Sequence, residues 1–272
     1  MGLRVNTNIA SLTAQRNLSS VTARLQGNYA RLSSGLRIAT AADDAAGLGI
    51  SERMRGQIRS FQQAGRNAQD GISLVQTAEG ALGEASNILS RMRELAVQAT
   101  NGTLSSTDRS TISTEVTALT NELDRIASSS TFNGVSLLDG TNTTASIQVG
   151  INANETIDVS LQDTTTGNLF TGAIDVTTAT GANAALTVID GAGTTVSTAR
   201  GALGAVQNRL QSAYASIQSA SENLSAAESR IRDVDVAWET ADLTRNSILQ
   251  QAATSVLAQA NVQPQLALKL LQ

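Results

Sequence analysis

From Val196 to Val234 an apolar residue recurs at every third or fourth position: Val196, Ala199, Leu203, Val206, Leu210, Ala213, Ile217, Ala220, Leu224, Ala227, Ile231 and Val234. Alternating steps of three and four place all of these side chains on one stripe of an α-helix, the a/d seam of a coiled coil. A stripe so long and narrow can be buried only against other helices lying alongside it. The pattern extends back through Ala182, Ala185, Ile189 and Ala192, although Gly191 and Gly193 each cost a helix interior about 1 kcal/mol.

A second seam runs through Met54, Phe61, Ala68, Val75, Leu82, Leu89 and Ala96 at intervals of seven, with companions at Ile58, Ile72, Ala78, Ala85, Met92 and Ala99. A helix over this stretch spans about 70 Å, several times the usual length, and must lie along a partner. Asn101 and Gly102 break it. Ser105 then offers an N-cap with Asp108 in the first turn, and Ile112, Val116, Leu119, Leu123 and Ile126 form a third stripe, so the segment reads as a helical hairpin. Aromatic residues make up only 2% of the chain, and a protein so poor in them builds thin, closely packed helix seams more readily than a broad core.

The period changes after Phe132. Asn133-Gly134 and Asp139-Gly140 are turn dipeptides, and Ile147, Val149, Ile151 and then Ile157, Val159, Leu161 alternate with period two. A β-hairpin region is expected around 132–162, followed by an exposed connection at about 163–183, rich in Thr, Gly and Ala. The fold expected is mainly α: a long, antiparallel, coiled-coil-like helical bundle with a small β-hairpin region.

Composition removes most chemistry. Without His there is no imidazole base, His-based triad or His-ligated metal; without Cys there is no thiolate, disulfide or zinc knuckle. A net charge of −4 and a pI near 4.9 argue against a nucleic-acid partner, and no apolar run approaches the roughly 18 residues of a membrane span. Adjacent carboxylates at Asp43 and Asp44, and the nearby pair Asp233 and Asp235, could hold a cation or work as acid and base. Acids at helix starts and on solvated helix faces are the commoner use of such residues, so neither a metal nor any other cofactor is expected.

Both termini are amphipathic. Ile9, Leu12, Val21, Leu25, Tyr29 and Leu32 mark one, and Ile248, Leu249, Ala252, Ala253, Val256, Leu257 and Ala260 form a full stripe at the other. Residues 1–42 carry five arginines and no acid. Leu32-Ser-Ser-Gly-Leu-Arg-Ile38, Asp43-Asp44-Ala-Ala-Gly-Leu48 and Ile248-Leu-Gln-Gln-Ala-Ala-Thr-Ser-Val-Leu-Ala-Gln-Ala-Asn261 closely resemble the terminal signatures of bacterial flagellin. The likeness covers about residues 1–140 and 184–272, and only the short connection separates the two arms. One departure is Asn261-Val262-Gln263-Pro264, where Asn-Gln-Val-Pro is commoner.

The resemblance implies an architecture in which the N- and C-terminal helices pair as a filament-core domain, 1–42 with 236–272, while 43–235 forms a long-helix domain carrying the hairpin. It further implies a structural subunit, exported unfolded and polymerised at the distal tip into an extracellular filament for motility. Implied partners are further copies of the chain, the flagellar type III export apparatus with a chaperone, a junction protein and a filament cap. On this reading Leu12, Val21, Leu25, Ile248, Leu249, Ala252, Val256 and Leu257 are the assembly residues. Arg91, Leu95 and Glu115 match positions that the family presents to the host Toll-like receptor for flagellin, with Ser90 in place of the usual Gln. A hook-filament junction protein shares similar termini and is the nearest alternative. An enzyme on a flagellin frame is a remoter one, since the zincin motif needs histidines that the chain lacks.

Overall fold

The computed structural model describes residues 7–269, with side chains as far as Gln263, so the outermost parts of the expected terminal domain, 1–6 and 270–272, lie outside the described residues. Among the described residues six helices of very unequal length and two small hairpins follow one another: α1 (Ile9–Ser34), α2 (Ala45–Thr100), α3 (Ser106–Ser129), β1 (Thr131–Phe132), β2 (Val135–Ser136), β3 (Thr144–Gln148), β4 (Thr156–Ser160), α4 (Thr166–Leu169), α5 (Ala179–Arg232) and α6 (Val236–Lys269). Backbone contacts divide the chain into a terminal unit, Met1–Gly56 with Asn223–Gln272, and a long-helix unit, Gln57–Glu222. The division falls within α2 and α5.

In the long-helix unit the seams read from the sequence become the core. Val75, Ala78, Leu82, Met92, Ala96 and Ala99 of α2 are buried with Ile112, Val116 and Leu123 of α3 and with Val196, Leu203 and Leu210 of α5. The three helices meet through these side chains, and their Cα atoms rarely approach within 8 Å of one another. Helix α3 starts where its capping residues predict: Ser105 Oγ accepts from the Asp108 N–H at 3.2 Å, and Asp108 accepts from the Ser105 N–H at 3.0 Å. This reciprocal box satisfies two of the backbone donors that a helix start leaves open. Arg109 then ties the α2–α3 corner, donating to the carbonyls of Ala99 and Asn101.

Two antiparallel hairpins follow. The first is tight: Asn133 and Gly134 have φ of 48° and 78°, the left-handed pair that a two-residue turn needs. The second pairs Ala145 with Val159 and Ile147 with Ile157, so that alternate residues Ile157 and Val159 face the core. It lies on α2 at Gly71, where an added Cβ would come within 3.1 Å of Ile147 and 3.3 Å of Leu210. Asn67 of α2 also donates to the Gln148 carbonyl at 3.1 Å.

The stretch expected as an exposed connection at 163–183 is exposed at 167–168, 171–173 and 177–178 but tied to the core between them. Thr164, Leu169, Val176 and Ala182 are all buried, and α5 already begins at Ala179. Asp124 of α3 accepts from both the N–H and the hydroxyl of Thr166 at 2.8 Å, which anchors the single turn of α4. Three Asp-x-Thr turns, at Asp139, Asp163 and Asp175, satisfy loop N–H groups locally. A low-charge segment therefore packs as part of the core's edge. Its few apolar residues are spaced too irregularly for any one period to reveal them.

Candidate assembly face

In the terminal unit, α1 and α6 run antiparallel and their backbones come within 8 Å of each other. Helix α1 opens on Asn8, whose side chain accepts from the Ser11 N–H, and closes on Gly35 at φ 71°, a left-handed cap that favours glycine. The residues of α1 that are buried or half-buried include Ser11, Ala14, Leu18, Val21, Leu25, Asn28 and Leu32, a regular alternation of three and four. On α6 the inward column is Glu239, Leu243, Asn246, Gln250, Ala253, Leu257 and Ala260, again with coiled-coil spacing. Small residues in these columns allow the close approach.

Polar residues occupy core positions of this seam. Glu239 is 1% exposed, and its Oε1 accepts from Asn28 Nδ2 at 2.6 Å and lies 3.7 Å from Arg31. Asn246 Nδ2 donates to Asn28 Oδ1 at 3.0 Å and to Asp242 Oδ2 at 2.9 Å, while Asn28 also donates to Asp242 at 3.1 Å. At the other end Asn8 donates to the Ala260 carbonyl and Ser11 to the Asn261 side chain, both at 2.7 Å. A buried amide or carboxylate is tolerable only with its partners in place, so these contacts fix which residue of α1 faces which residue of α6.

The outward side of the same pair carries large apolar residues. Leu12 is 52% exposed, Ile248 61% and Val256 58%, and Leu249 and Ala252 are exposed beside them. Val21 and Leu257 are half-buried at the edge of the seam. Leu25 departs from the expectation that it serves assembly: it is buried against the partner helix, because it shares the inward column of Ala14 and Asn28. The C-terminal stripe read as one face is thus two adjacent columns. Ala253, Leu257 and Ala260 turn toward α1, and Ile248, Leu249, Ala252 and Val256 turn away. The polar inward positions Glu239, Asn246 and Gln250 escaped a reading based on apolar periodicity alone; only their regular spacing could have exposed them.

The corner joining the terminal helices to the long ones is held by backbone. Arg37 and Ile38 N–H groups donate to the Arg232 carbonyl, the Val234 N–H donates to the Gly35 carbonyl, and Leu36 bridges Asp233. Arg232 Nη1 donates to Glu52 at 2.8 Å, and this bond holds the Glu52 carboxyl below its ordinary range. Of the four acids considered for metal or acid/base roles, Asp43, Asp44 and Asp235 are engaged here as caps, and Asp233 pairs through its backbone with Leu36. Asp43 accepts from Thr40 and Ala39, contacts that lower its pKa with the Thr40 bonds dominant; Asp44 accepts from the Gly47 N–H, and Asp235 from the Ala237 and Trp238 N–H groups.

The receptor positions separate in the long-helix unit. Arg91 and Glu115 meet across α2 and α3, with Nη2 2.9 Å from Oε1, and Glu94 adds a second bond to Arg91 at 3.0 Å; Glu115 is the main reason the guanidinium holds its proton more tightly than usual. Both side chains are exposed. Leu95 does not join them at the surface: it is 2% exposed and packs in the core, because it lies on the buried side of α2 beside Ala96 and Ala99.

The comparisons agree with this architecture. Residues 5–143 match the family model for the bacterial flagellin N-terminal helical region, and residues 186–271 match that for the C-terminal helical region. A flagellin of Halalkalibacterium halodurans is 48% identical over 270 residues, which cover 98% of this chain and 99% of that protein. A flagellin of Bacillus subtilis is 47% identical over 304 aligned positions, covering 99% of this chain and all of the relative. The crystal structure of Bacillus cereus flagellin is similar at a TM-score of 0.51 and 36% identity, over 60% of this chain and 94% of that one. Two family models that together span most of the chain, and relatives matched along their whole length, place it: the chain belongs to the bacterial flagellin family and is a structural subunit of the flagellar filament.

Proposed function

We propose that filament assembly runs through the outward side of the terminal pair, with Leu12 on α1 and Ile248, Leu249, Ala252 and Val256 on α6 packing against neighbouring copies. The half-buried Val21 and Leu257 extend that face at its edge. The observation that supports this reading is that the pair leaves large apolar groups, Leu12, Ile248, Leu249 and Val256, facing out, beyond the leucines and polar groups that fill its seam. Covering one such Leu, Ile or Val gains up to about 1.5 to 3 kcal/mol, so several per subunit suffice for a stable contact. A face that meets a different face on the next copy repeats without closing, and the product is an open helical polymer.

The remaining steps of the subunit's life are inferred from its family. The chain is exported unfolded through the flagellar type III apparatus with a chaperone, and polymerises at the distal tip between a junction protein and a cap, outside the cell. With no Cys and one Pro, little in the covalent chain slows unfolding and refolding. Toll-like receptor recognition, where a host meets the filament, uses the exposed Arg91 and Glu115, with Leu95 supporting them from the core.

Seeded polymerisation followed by electron microscopy tests the assembly face. Ile248→Asp should abolish filaments and leave the monomer's helicity and melting unchanged, because the side chain is exposed in the single chain. Leu257→Asp should abolish them as well and also loosen the terminal pair. Filaments of normal yield from Ile248→Asp would show that the outward column of α6 is not the contact.

A further inference from the structure

The terminal unit carries a second uncovered surface, apart from the outward columns. A cavity of about 490 Å³ opens between the loop after α1 and the first turn of α6, bordered by Arg37, Ile38, Asp43, Asp44, Asp235 and Trp238. Trp238 is the chain's single Trp, and it stands 61% exposed beside Val236 at 58%. Indole gains more from burial than any other side chain and marks the energetic centre of protein contacts. In a chain with so few aromatic rings, one left in water at the mouth of a cavity is a docking feature.

Charge indicates what docks there. Asp43, Asp44 and Asp235 accept backbone N–H bonds, yet none has a cationic partner within 4 Å among the described residues. Of the two arginines at the cavity, Arg31 faces Glu239, and Arg37 donates to the Ile231 carbonyl at 2.6 Å. The rim is therefore an aromatic face with acids beside it, which suits a guanidinium: the planar cation stacks on indole and bonds carboxylates at its edge. The same chain supplies that group elsewhere. Arg16 and Arg24 of α1 are exposed, have no acidic partner within 4 Å among the described residues, and belong to a segment of five arginines and no acid.

We propose that the Trp238 cavity receives the arginine-bearing surface of α1, Arg16 and Arg24, from a second copy of the chain. This rests on the assembly reading and adds to it a particular contact. Socket and arginines are different patches of one subunit, so each copy offers both, and the contact propagates from copy to copy. It complements the apolar columns by setting orientation, which charge pairs do better than apolar area.

Because Trp238 is the only indole, its fluorescence reads the contact directly. Acrylamide quenching is measured on wild-type monomer and on seeded filaments of the same preparation. The expected result is a several-fold fall in quenching on polymerisation, with a blue-shifted emission. Arg16→Glu/Arg24→Glu should retain the monomer's helicity and raise the critical concentration about tenfold, the ratio set by 1.4 kcal/mol of lost attraction. Arg16→Gln/Arg24→Gln should shift it in the same direction by less. Filaments in which Trp238 stays as quenchable as in the monomer would overturn the inference and leave the assembly reading standing. Protected Trp238 together with wild-type critical concentration in both arginine variants would overturn the choice of occupant. Failure of the wild type to polymerise would remove both readings at once.

Discussion

The two units of this subunit use the same coiled-coil spacing with different chemistry. In the long-helix unit the a/d positions hold Val75, Leu82, Met92, Val196 and Leu210, all fully buried, and the helices stand apart at a distance set by those side chains. In the terminal unit the corresponding positions mix Leu18, Leu25, Leu32, Leu243 and Leu257 with Ser11, Ala14, Asn28, Glu239, Asn246 and Ala260, the helices lie closer, and further large apolar residues, Leu12, Ile248 and Val256, point away from the seam. Apolar area turned inward stabilises a single subunit; the same area turned outward is gained only when copies meet. A polymer subunit needs both. The buried Asn28–Glu239–Asn246 network adds little net stability, because desolvation offsets most of its attraction, but it selects one alignment of α1 on α6.

This contrast can be broken most sharply in the long-helix core. Leu82→Ala should lower the stability of that unit by about 2 to 5 kcal/mol, the usual range for a leucine cut back to alanine in a close-packed site. Urea unfolding would record it, with amide exchange accelerating throughout α2, α3 and α5. A loss well below 1 kcal/mol would mean that the seam is not tightly packed, and the distinction between the two units would collapse.

A smaller and more local effect is expected in the other unit. Glu239→Ala removes one of the two carboxylate acceptors of the buried Asn28 amide, leaving Asp242, a penalty of about 1 to 3 kcal/mol. Hydrogen exchange should then rise in α1 and α6 while the core amides of α2 remain protected. Should Glu239→Ala slow exchange in the pair, the network would be a burden rather than a positioning device, and Asp242 alone would suffice for the Asn28 amide.

The smallest effect comes from pH. Asp43 and Glu52 in the terminal unit, and Asp108, Glu122, Asp139 and Asp175 in the long-helix unit, all have carboxyls below their ordinary values through hydrogen bonds to the ionised form. For a group whose folded pKa is depressed, the stabilisation is complete above the unfolded value, near 3.8 for Asp and 4.5 for Glu, and is lost as pH falls through the folded value. Unfolding midpoints should therefore be level for these groups down to the ordinary carboxylate range and drop below it in both units. Added salt should weaken the contributions of Glu52 and Glu122, whose main partners are arginines, more than those of Asp43 and Asp108, whose partners are Thr and Ser. Midpoints that climb on acidification would contradict this sign.

Much of the long-helix unit was legible beforehand. The seams through Val75, Leu82 and Met92 and through Val196, Leu203 and Leu210 are runs of large apolar residues at one period, and burial follows because nothing else can satisfy them. Ser105 with Asp108, and the alternation at Ile157 and Val159, are equally local signals: the residues that make the structure are neighbours in the chain. The candidate face was legible only in outline. Periodicity at 248–260 announced an apolar surface on α6, but it could not say that Leu257 and Ala260 turn to α1 while Ile248 and Val256 do not.

What the sequence determined by itself is therefore the set of helices, their caps and the existence of apolar stripes, since these depend on residues within a few turns of one another. What only the tertiary structure decided is which stripe is covered and by what. Leu25 and Leu95 were expected at surfaces and lie inside. Asn28, Glu239 and Asn246 are polar residues that hold core positions because their hydrogen-bonding partners arrive from more than 200 residues away. A periodic pattern specifies that a face exists, through local geometry. The neighbour that covers it is chosen by long-range complementarity of shape and hydrogen bonding, which no local window contains.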